Sequence, residues 1–323
     1  MKVLNMEIPQ IGLGCWAIGG QFFDLGAPAG WGDVKDEVSL EALDAGISEG
    51  IKFIDTANIY GAGHSEELVG KAIKGRRNEV LITTKCGILC DEQTKTTTGI
   101  VQSPQDIIQS VEDSLRRLQT DYIDILMFHC GDYDKEKSHM VRDTMDQLAE
   151  SGKIRSFGWS TSDPERAAIF AESRHCLSME FAENVMEYDP VMMEFCKKNN
   201  LTAICRSPLA MGLLTGKYKK GITMPEQDLR GKNAPPWMTY YIDGKPNEIL
   251  LKKLESIREI LTFGGRTLAQ GCIAYIWAKG EEFAVPIPGF KTAEQVRQNA
   301  AALNYGPLSA AQASEIEEIL KAE

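Results

Sequence analysis

Residues 122–161, YIDILMFHCGDYDKEKSHMVRDTMDQLAESGKIRSFGWST, contain the repeat that decides the fold. An apolar, β-rich run at 122–129 is followed by a helical period at 141–150 and by a second β-rich run at 154–161. The same alternation extends outward in both directions. Toward the N-terminus the runs are 80–86 (VLITTKC), 52–57 (KFIDTA) and a first one near 11–15. Toward the C-terminus they are 176–182 (CLSMEFA), 201–208 (LTAICRSP) and 283–289 (FAVPIPG). These runs are too apolar to face water on one side, which predicts parallel strands joined by right-handed helical crossovers. Eight such units predict an α/β (β/α)8 TIM barrel.

The crossovers carry their own signals. Ile107, Ile108, Val111, Leu115 and Leu118 form one apolar helical stripe, and Ser103, Pro104 and Asp106 mark its start as a capping box. Ser162, Asp163 and Pro164 repeat that device. Further helices are expected at 36–49, 65–74, 191–198 and 292–303. Residues 209–246 read as a long loop of the kind that forms lids, and 309–322 as an extra C-terminal helix. No linker or composition shift divides the chain, so residues 1–323 are expected to form a single domain.

Composition narrows the function. The 35 Lys and Arg against 46 Asp and Glu give a net charge of −11, which disfavours a nucleic-acid binder. No apolar run is long enough to span a bilayer, and the opening MKVLNMEIPQ has no secretory h-region, so a cytoplasmic protein without a membrane partner is expected. The eight cysteines lie in apolar contexts without metal-ligand spacing, which predicts buried free thiols and no metal site. Oligomeric state is not readable, because the C-terminal stripe of Ile316, Ile319 and Leu320 suits packing on its own barrel.

In a barrel of this kind chemistry sits at the C-terminal ends of the strands. Those ends here carry Asp55 and the following Tyr60, then Lys85, His129, Ser160 with Thr161, Glu180, and Arg206 with Ser207. Tyr, Lys, Asp and His in one pocket suit carbonyl reduction: a phenol gives the proton, an ammonium lowers the phenol's pKa, a carboxylate holds the ammonium, and an imidazole orients the carbonyl. Each alone also has an ordinary reading, as a helix cap, a loop aromatic, a snorkelling Lys or a core imidazole.

DTANIYGAGHSEE from Asp55 through Tyr60, TKCG around Lys85, MFH ending at His129 and GWST ending at Thr161 together resemble the aldo-keto reductases. The likeness runs from GLGCWAIGG at 12–20 through RSPLAMGLLTGKY at 206–218 to PIPGFKTAEQVRQN at 286–299. It implies an NAD(P)-dependent oxidoreductase acting on a small carbonyl or alcohol substrate, with Tyr60 as general acid/base, Lys85 and Asp55 tuning it, and His129 placing the carbonyl. Trp16 and Asp55 are then expected to contact the coenzyme, and Ser160 and Thr161 to hold its nicotinamide carboxamide. Ser207, Pro208, Leu209, Gly212, Thr215 and Lys217 would line the pyrophosphate path, and Gly289, Lys291, Gln295, Gln298 and Asn299 the adenosine end. Lys291, beside a helix N-terminus, favours NADP(H), with NAD(H) possible. The GxGxxA match at Gly12, Gly14 and Ala17 is rejected as a dinucleotide fingerprint, because no helical period follows it.

The chain departs from the family pattern at three places. Thr161 replaces the usual Asn, Glu180 is aligned with the usual Gln, and Arg206 replaces an aromatic. We expect Glu180 and Arg206 to pair beneath the nicotinamide. Phe22, Phe23, Trp31, Trp237, Met238, Tyr240 and Tyr241 are expected in the long loops, as a substrate wall or as pins holding those loops to the rim. A coenzyme-binding sensory or partner-binding subunit with weak turnover is the competing reading, as is a barrel enzyme whose eighth-unit anion site holds a substrate phosphate.

Overall fold

The computed structural model describes residues 1–322. Eight strands lie in one parallel sheet in chain order: β1 (Gly12–Gly14), β2 (Phe53–Asp55), β3 (Leu81–Cys86), β4 (Ile123–Phe128), β5 (Ile154–Ser160), β6 (Cys176–Ala182), β7 (Thr202–Arg206) and β8 (Ala284–Pro286). The sheet curls round until Gly14 bridges Gly289 in parallel, with the Gly14 amide donating to the Pro288 carbonyl at 3.2 Å. The expected (β/α)8 barrel is present.

Alternation along each strand explains why the runs look uniformly apolar. Leu81, Ile125, Met127, Ile204 and Val285 share the inner core with Phe53 and Ile287, whereas Ile82, Leu126, Phe128 and Ala203 belong to the outer core beneath the helices. The inner core is stoppered by Val3 and Ile8 of an N-terminal hairpin that pairs Lys2–Val3 with Met6–Glu7. Those two-residue strands are too short to show a period, and they escaped the sequence reading.

The outer ring comprises α1 (Asp36–Ser48), α2 (His64–Ala72), α3 (Pro104–Leu118), α4 (Lys135–Glu150), α5 (Pro164–Ala171), α6 (Pro190–Lys198), α7 (Leu268–Gly280) and α8 (Ala293–Ala300). Ser103 and Asp106 form the expected capping box on α3. Asp163, not Ser162, caps α5 with Pro164 in its first turn. Helix α4 starts before the expected residue 141, because Asp134 caps a polar first turn that carries no apolar period. Helix α7 is buried nearly all round, so its apolar residues show no stripe. The expected final helix, α9 (Ala310–Ala322), lies against α7, with Lys279 Nζ 2.6 Å from Glu317 Oε1. No helix of the described residues is long and apolar enough to cross a membrane.

Two features dress the mouth of the barrel. A hairpin of Ile88–Asp91 and Thr96–Ile100 joins Phe23–Asp24 and Ala27–Pro28 in a four-stranded sheet on one side. Residues 209–246 cover the other, with only a 3-10 segment, Ala210–Thr215, and a small hairpin of Tyr241–Ile242 and Lys245–Pro246. No α-helix follows Gly12 and Gly14 before residue 36, in keeping with the rejected dinucleotide fingerprint.

Glycine at position 14 answers a packing need at the barrel seam. A Cβ there would sit 2.5 Å from the Ile287 carbonyl oxygen. Gly14→Ala should therefore cost about 1–3 kcal/mol, as overpacking of a close-packed core does, read as a lower urea midpoint at unchanged m-value. An unshifted midpoint would mean that the seam opens freely.

Candidate active site

Lys85 anchors the site. It is the penultimate residue of β3, points into the barrel and is fully buried. Its Nζ donates to Asp55 Oδ1 at 2.6 Å and to the Thr56 carbonyl at 3.0 Å, and it lies 3.4 Å from Glu180 Oε2. Parallel pairing of β2 with β3 sets Asp55 beside Thr83, so Asp55 and Lys85 meet across adjacent strands.

Tyr60 is brought over this pair by the loop after β2. Ser65 fastens that loop: its hydroxyl donates to the Cys15 carbonyl at 2.9 Å and lies 2.8 Å from Thr56 Oγ1, while its amide donates to the Tyr60 carbonyl. Gly61 takes φ +62° where a Cβ would meet the Gly19 carbonyl oxygen at 1.9 Å, which is why a glycine follows the tyrosine. The Tyr60 ring stacks on Trp16 with centroids 5.6 Å apart and meets His129 edge-on at 6.2 Å. Lys85 Nζ lies 5.2 Å from the centre of the Tyr60 ring.

Burial dominates the electrostatics. It pushes the Tyr60 phenol above its usual range; Lys85 pulls it down, but Asp55 and Glu180 oppose that pull. The phenol therefore stays protonated at neutral pH, and the expected lowering by Lys85 does not prevail. Asp55 is pushed up to about 7 by burial, against the pull of Lys85 and with the repulsion of Glu180. Lys85 stays charged because Asp55 and Glu180 outweigh its desolvation. His129 is held well below the usual imidazole range by burial, then by Lys85 and Arg206, so its ring is neutral. His129 Nδ1 is buried without a hydrogen-bond partner.

These groups open onto a cavity of about 1200 Å³. Trp16, Asp55, Tyr60, His129, Ser160, Arg206, Ser207, Pro208, Leu209, Gly212, Thr215, Lys217, Gly289, Lys291, Gln295, Gln298 and Asn299 all line it. Lys85, Thr161 and Glu180 do not border it. The Thr161 hydroxyl donates to the Gly131 carbonyl at 3.0 Å and accepts from the Asp163 amide at 3.2 Å, which commits it to the turn entering α5. The inward residue at the mouth of β6 is Ala182, which does line the cavity and pairs in register with Arg206.

Glu180 thus lies one inward position deeper than expected. The expected Glu180–Arg206 pair is not formed: Glu180 faces Lys85, and Arg206 has no carboxylate within salt-bridge distance among the described residues. Phe22, Trp31, Trp237 and Tyr240 line the cavity as expected. Met238 and Tyr241 are buried in the covering loop, and Phe23 lies outside the cavity and is partly exposed.

The far end of the cavity carries a cluster that the sequence reading missed. Arg230 holds Asp228 bidentately, Nε to Oδ1 and Nη2 to Oδ2 both at 2.8 Å, and its guanidinium lies near the rings of Trp31, Tyr218 and Tyr241. Lys291 reaches across the cleft, Nζ donating to the Trp31 carbonyl at 2.6 Å. DLR inside a long loop carries no periodic signal, so only the folded chain reveals the cluster.

The chemistry of this lining fits a nicotinamide dinucleotide. Lys217, Arg230 and Lys291 gather positive charge at one end, beside the amides of Gln295, Gln298 and Asn299. A Cβ on Gly289 would meet nothing nearer than the Gly14 carbonyl oxygen at 3.9 Å, so the glycine leaves its flank of the cavity open.

Comparison with known proteins bears on the chain as a whole. The model of the Aldo/keto reductase family matches residues 10–321. An aldo-keto reductase of Bacillus subtilis (strain 168) is 35% identical over 230 residues, covering 70% of this chain and 66% of its own length. Aldo-keto reductase yakc of Schizosaccharomyces pombe, named with NADP(+), is 31% identical over 329 residues, covering 98% of this chain and 90% of its own. Among solved structures, the glycerol dehydrogenase of Gluconobacter oxydans matches with a TM-score of 0.82 at 27% identity, covering 99% of this chain and 93% of that one. With the family model matching residues 10–321 and a relative 31% identical over 98% of the chain, this chain belongs to the aldo/keto reductase family.

Proposed function

We propose that the protein is an NADP(H)-dependent reductase of small aldehydes, ketones or sugars, with Tyr60 as the proton donor. One observation carries this reading: a protonated phenol and a neutral imidazole meet at one wall of the cavity, backed by a buried Lys85–Asp55 pair. Bound in the cavity, a reduced nicotinamide coenzyme supplies the hydride that reaches the carbonyl carbon.

The chain's own residues do the rest. Tyr60 donates a hydrogen bond to the carbonyl oxygen and passes its proton there as the alcohol forms. His129 steadies that oxygen from the other side as a neutral N–H donor. Lys85 stabilises the phenolate left behind, and Asp55 keeps the ammonium charged and aimed. Trp16 covers the other face of Tyr60 and excludes water. The same residues run backward in alcohol oxidation, with the phenolate as base.

At the far end Lys291 is the cation suited to a ribose 2′-phosphate. Its pKa is lowered by burial while Asp228 acts in the opposite sense, so it gains from an added anion. The coenzyme in the name of the Schizosaccharomyces pombe relative supports NADP(H). Arg206, at the mouth of β7, is placed to support the nicotinamide with its flat guanidinium.

Tyr60→Phe should bind NADPH as wild type does, by fluorescence titration, and lose about 10²- to 10⁴-fold in single-turnover aldehyde reduction. Full activity in that variant would remove Tyr60 from the mechanism. Tight coenzyme binding with no turnover in wild type would favour the sensory-subunit reading.

Lys291→Met should weaken NADPH binding about tenfold, the worth of one charge-assisted hydrogen bond, and leave NADH affinity unchanged. Equal losses for both coenzymes would place the 2′-phosphate elsewhere.

Lys85→Met strands the buried Asp55 and Glu180 and should cost about 3–5 kcal/mol in chemical denaturation at pH 8. Asp55 already has a raised pKa, and without the ammonium it rises further. A carboxyl whose folded pKa exceeds its unfolded value loses stability as pH climbs between the two. The deficit should therefore shrink as pH falls from 8 toward the ordinary carboxylate range. A pH-independent deficit would show that packing, not charge, is lost.

A further inference from the structure

Glu180 is the buried ionisable group at this site that the reaction as derived does not use. It sits on β6 one inward position below Ala182, 1% exposed, with Oε2 at 3.4 Å from Lys85 Nζ and no hydrogen bond to that oxygen. Lys85 is therefore shared between two buried carboxylates, Asp55 approaching from β2 and Glu180 from β6. One ammonium is shared between two carboxyl groups in a buried part of the barrel.

We infer that Glu180 is a positioning residue that sets the acidity of Tyr60, dividing the charge of Lys85 so that the phenol keeps its proton to higher pH. This rests on the reading of Tyr60 as proton donor. The groups facing the phenol are Lys85 on β3, Asp55 on β2, Glu180 on β6 and the neutral His129 after β4. Arg206 at the end of β7 acts on His129, and the thiols of Cys15, just after β1, and of Cys205 on β7 are kept protonated by burial. Trp16 adds no charge. Among these, Glu180 is the one carboxylate that neither borders the cavity nor hydrogen-bonds Lys85 with good geometry, so it acts on Tyr60 through space alone. Neutralising it leaves Lys85 and Asp55 as a balanced pair, and the phenolate then forms opposite a cation less fully offset.

The test uses the full chain, with glyceraldehyde and NADPH for reduction and glycerol and NADP(+) for oxidation, in wild type, Glu180→Gln and Glu180→Met. In both neutral variants the alkaline limb of reduction and the acid limb of oxidation should move about one unit to lower pH. At one unit above the displaced limb, reduction should have fallen about tenfold from its plateau where wild type has lost far less. A purely structural role would lower the rates at all pH values and leave the limbs in place. Two neutral side chains of different polarity guard against a packing defect in either one.

A second readout needs no turnover. Tyrosinate absorbance, taken as the difference between each protein and its Tyr60→Phe counterpart, should show the Tyr60 phenolate forming at lower pH in the Glu180 variants. Coincident limbs and coincident Tyr60 titrations in both variants would overturn the inference. A wild-type protein that turns over neither substrate, but whose Tyr60 titration shifts as described, would overturn the reductase reading and leave the role of Glu180 intact.

Discussion

A fully buried ammonium has to be paired, and the upper half of this barrel is arranged around meeting that demand for Lys85. Desolvation of a lysine costs several kcal/mol even after relaxation, so the side chain stays charged only where carboxylates and a carbonyl reach it. Asp55, Glu180 and the Thr56 carbonyl do so from two strands other than its own. This constraint reaches backward into the fold. Asp55 must stand at the end of β2 and Glu180 on the inner face of β6, and the register that puts them there is the register that closes the barrel.

Inside the barrel the layers change character with height. Phe53, Leu81, Ile125, Ile204 and Val285 fill the lower part with hydrocarbon, stoppered by Val3 and Ile8. Above them lie Asp55, Lys85 and Glu180, and above those the open cavity with Tyr60 and His129. The dry lower core makes charge in the middle layer costly, and the same dryness strengthens each pairing within it. A phenol and an imidazole placed over such a layer stay neutral because burial outweighs the neighbouring charges.

Sequence legibility followed this physics. All eight strands were readable because both faces of each are buried, and seven of the eight helices of the outer ring carried a period or a cap that marked them. Helix α7, buried nearly all round, and the two-residue N-terminal hairpin had no period to read. Asp55, Lys85 and His129 stood out by residue type at strand ends and Tyr60 in the loop after one, and the fold brings the four together. Glu180 was assigned the right face at the wrong height, since a period of two fixes which side of a strand a residue faces and says nothing of its depth. The pairing of Asp228 with Arg230, made within a long irregular loop, could be seen only once that loop was folded over Trp31 and Tyr218.

The cavity's far end shows why net charge is a poor guide to a site. The chain carries a net charge of −11, yet Lys217, Arg230 and Lys291 converge on one end of the cleft. Asp228 is taken up by Arg230, so Lys217 and Lys291 leave that end with positive charge to spare along the cavity lining, and the low-dielectric walls of the cleft focus its field. The acidic exterior repels polyanions such as nucleic acid at long range, whereas a dinucleotide that enters the cleft meets the opposite sign. Lys291, holding the Trp31 carbonyl across the opening, links the eighth unit to the loop after β1. Its ammonium keeps two further N–H donors, so an anion at this end can be held by the same cation that fastens the Trp31 segment beside Trp16 and Tyr60.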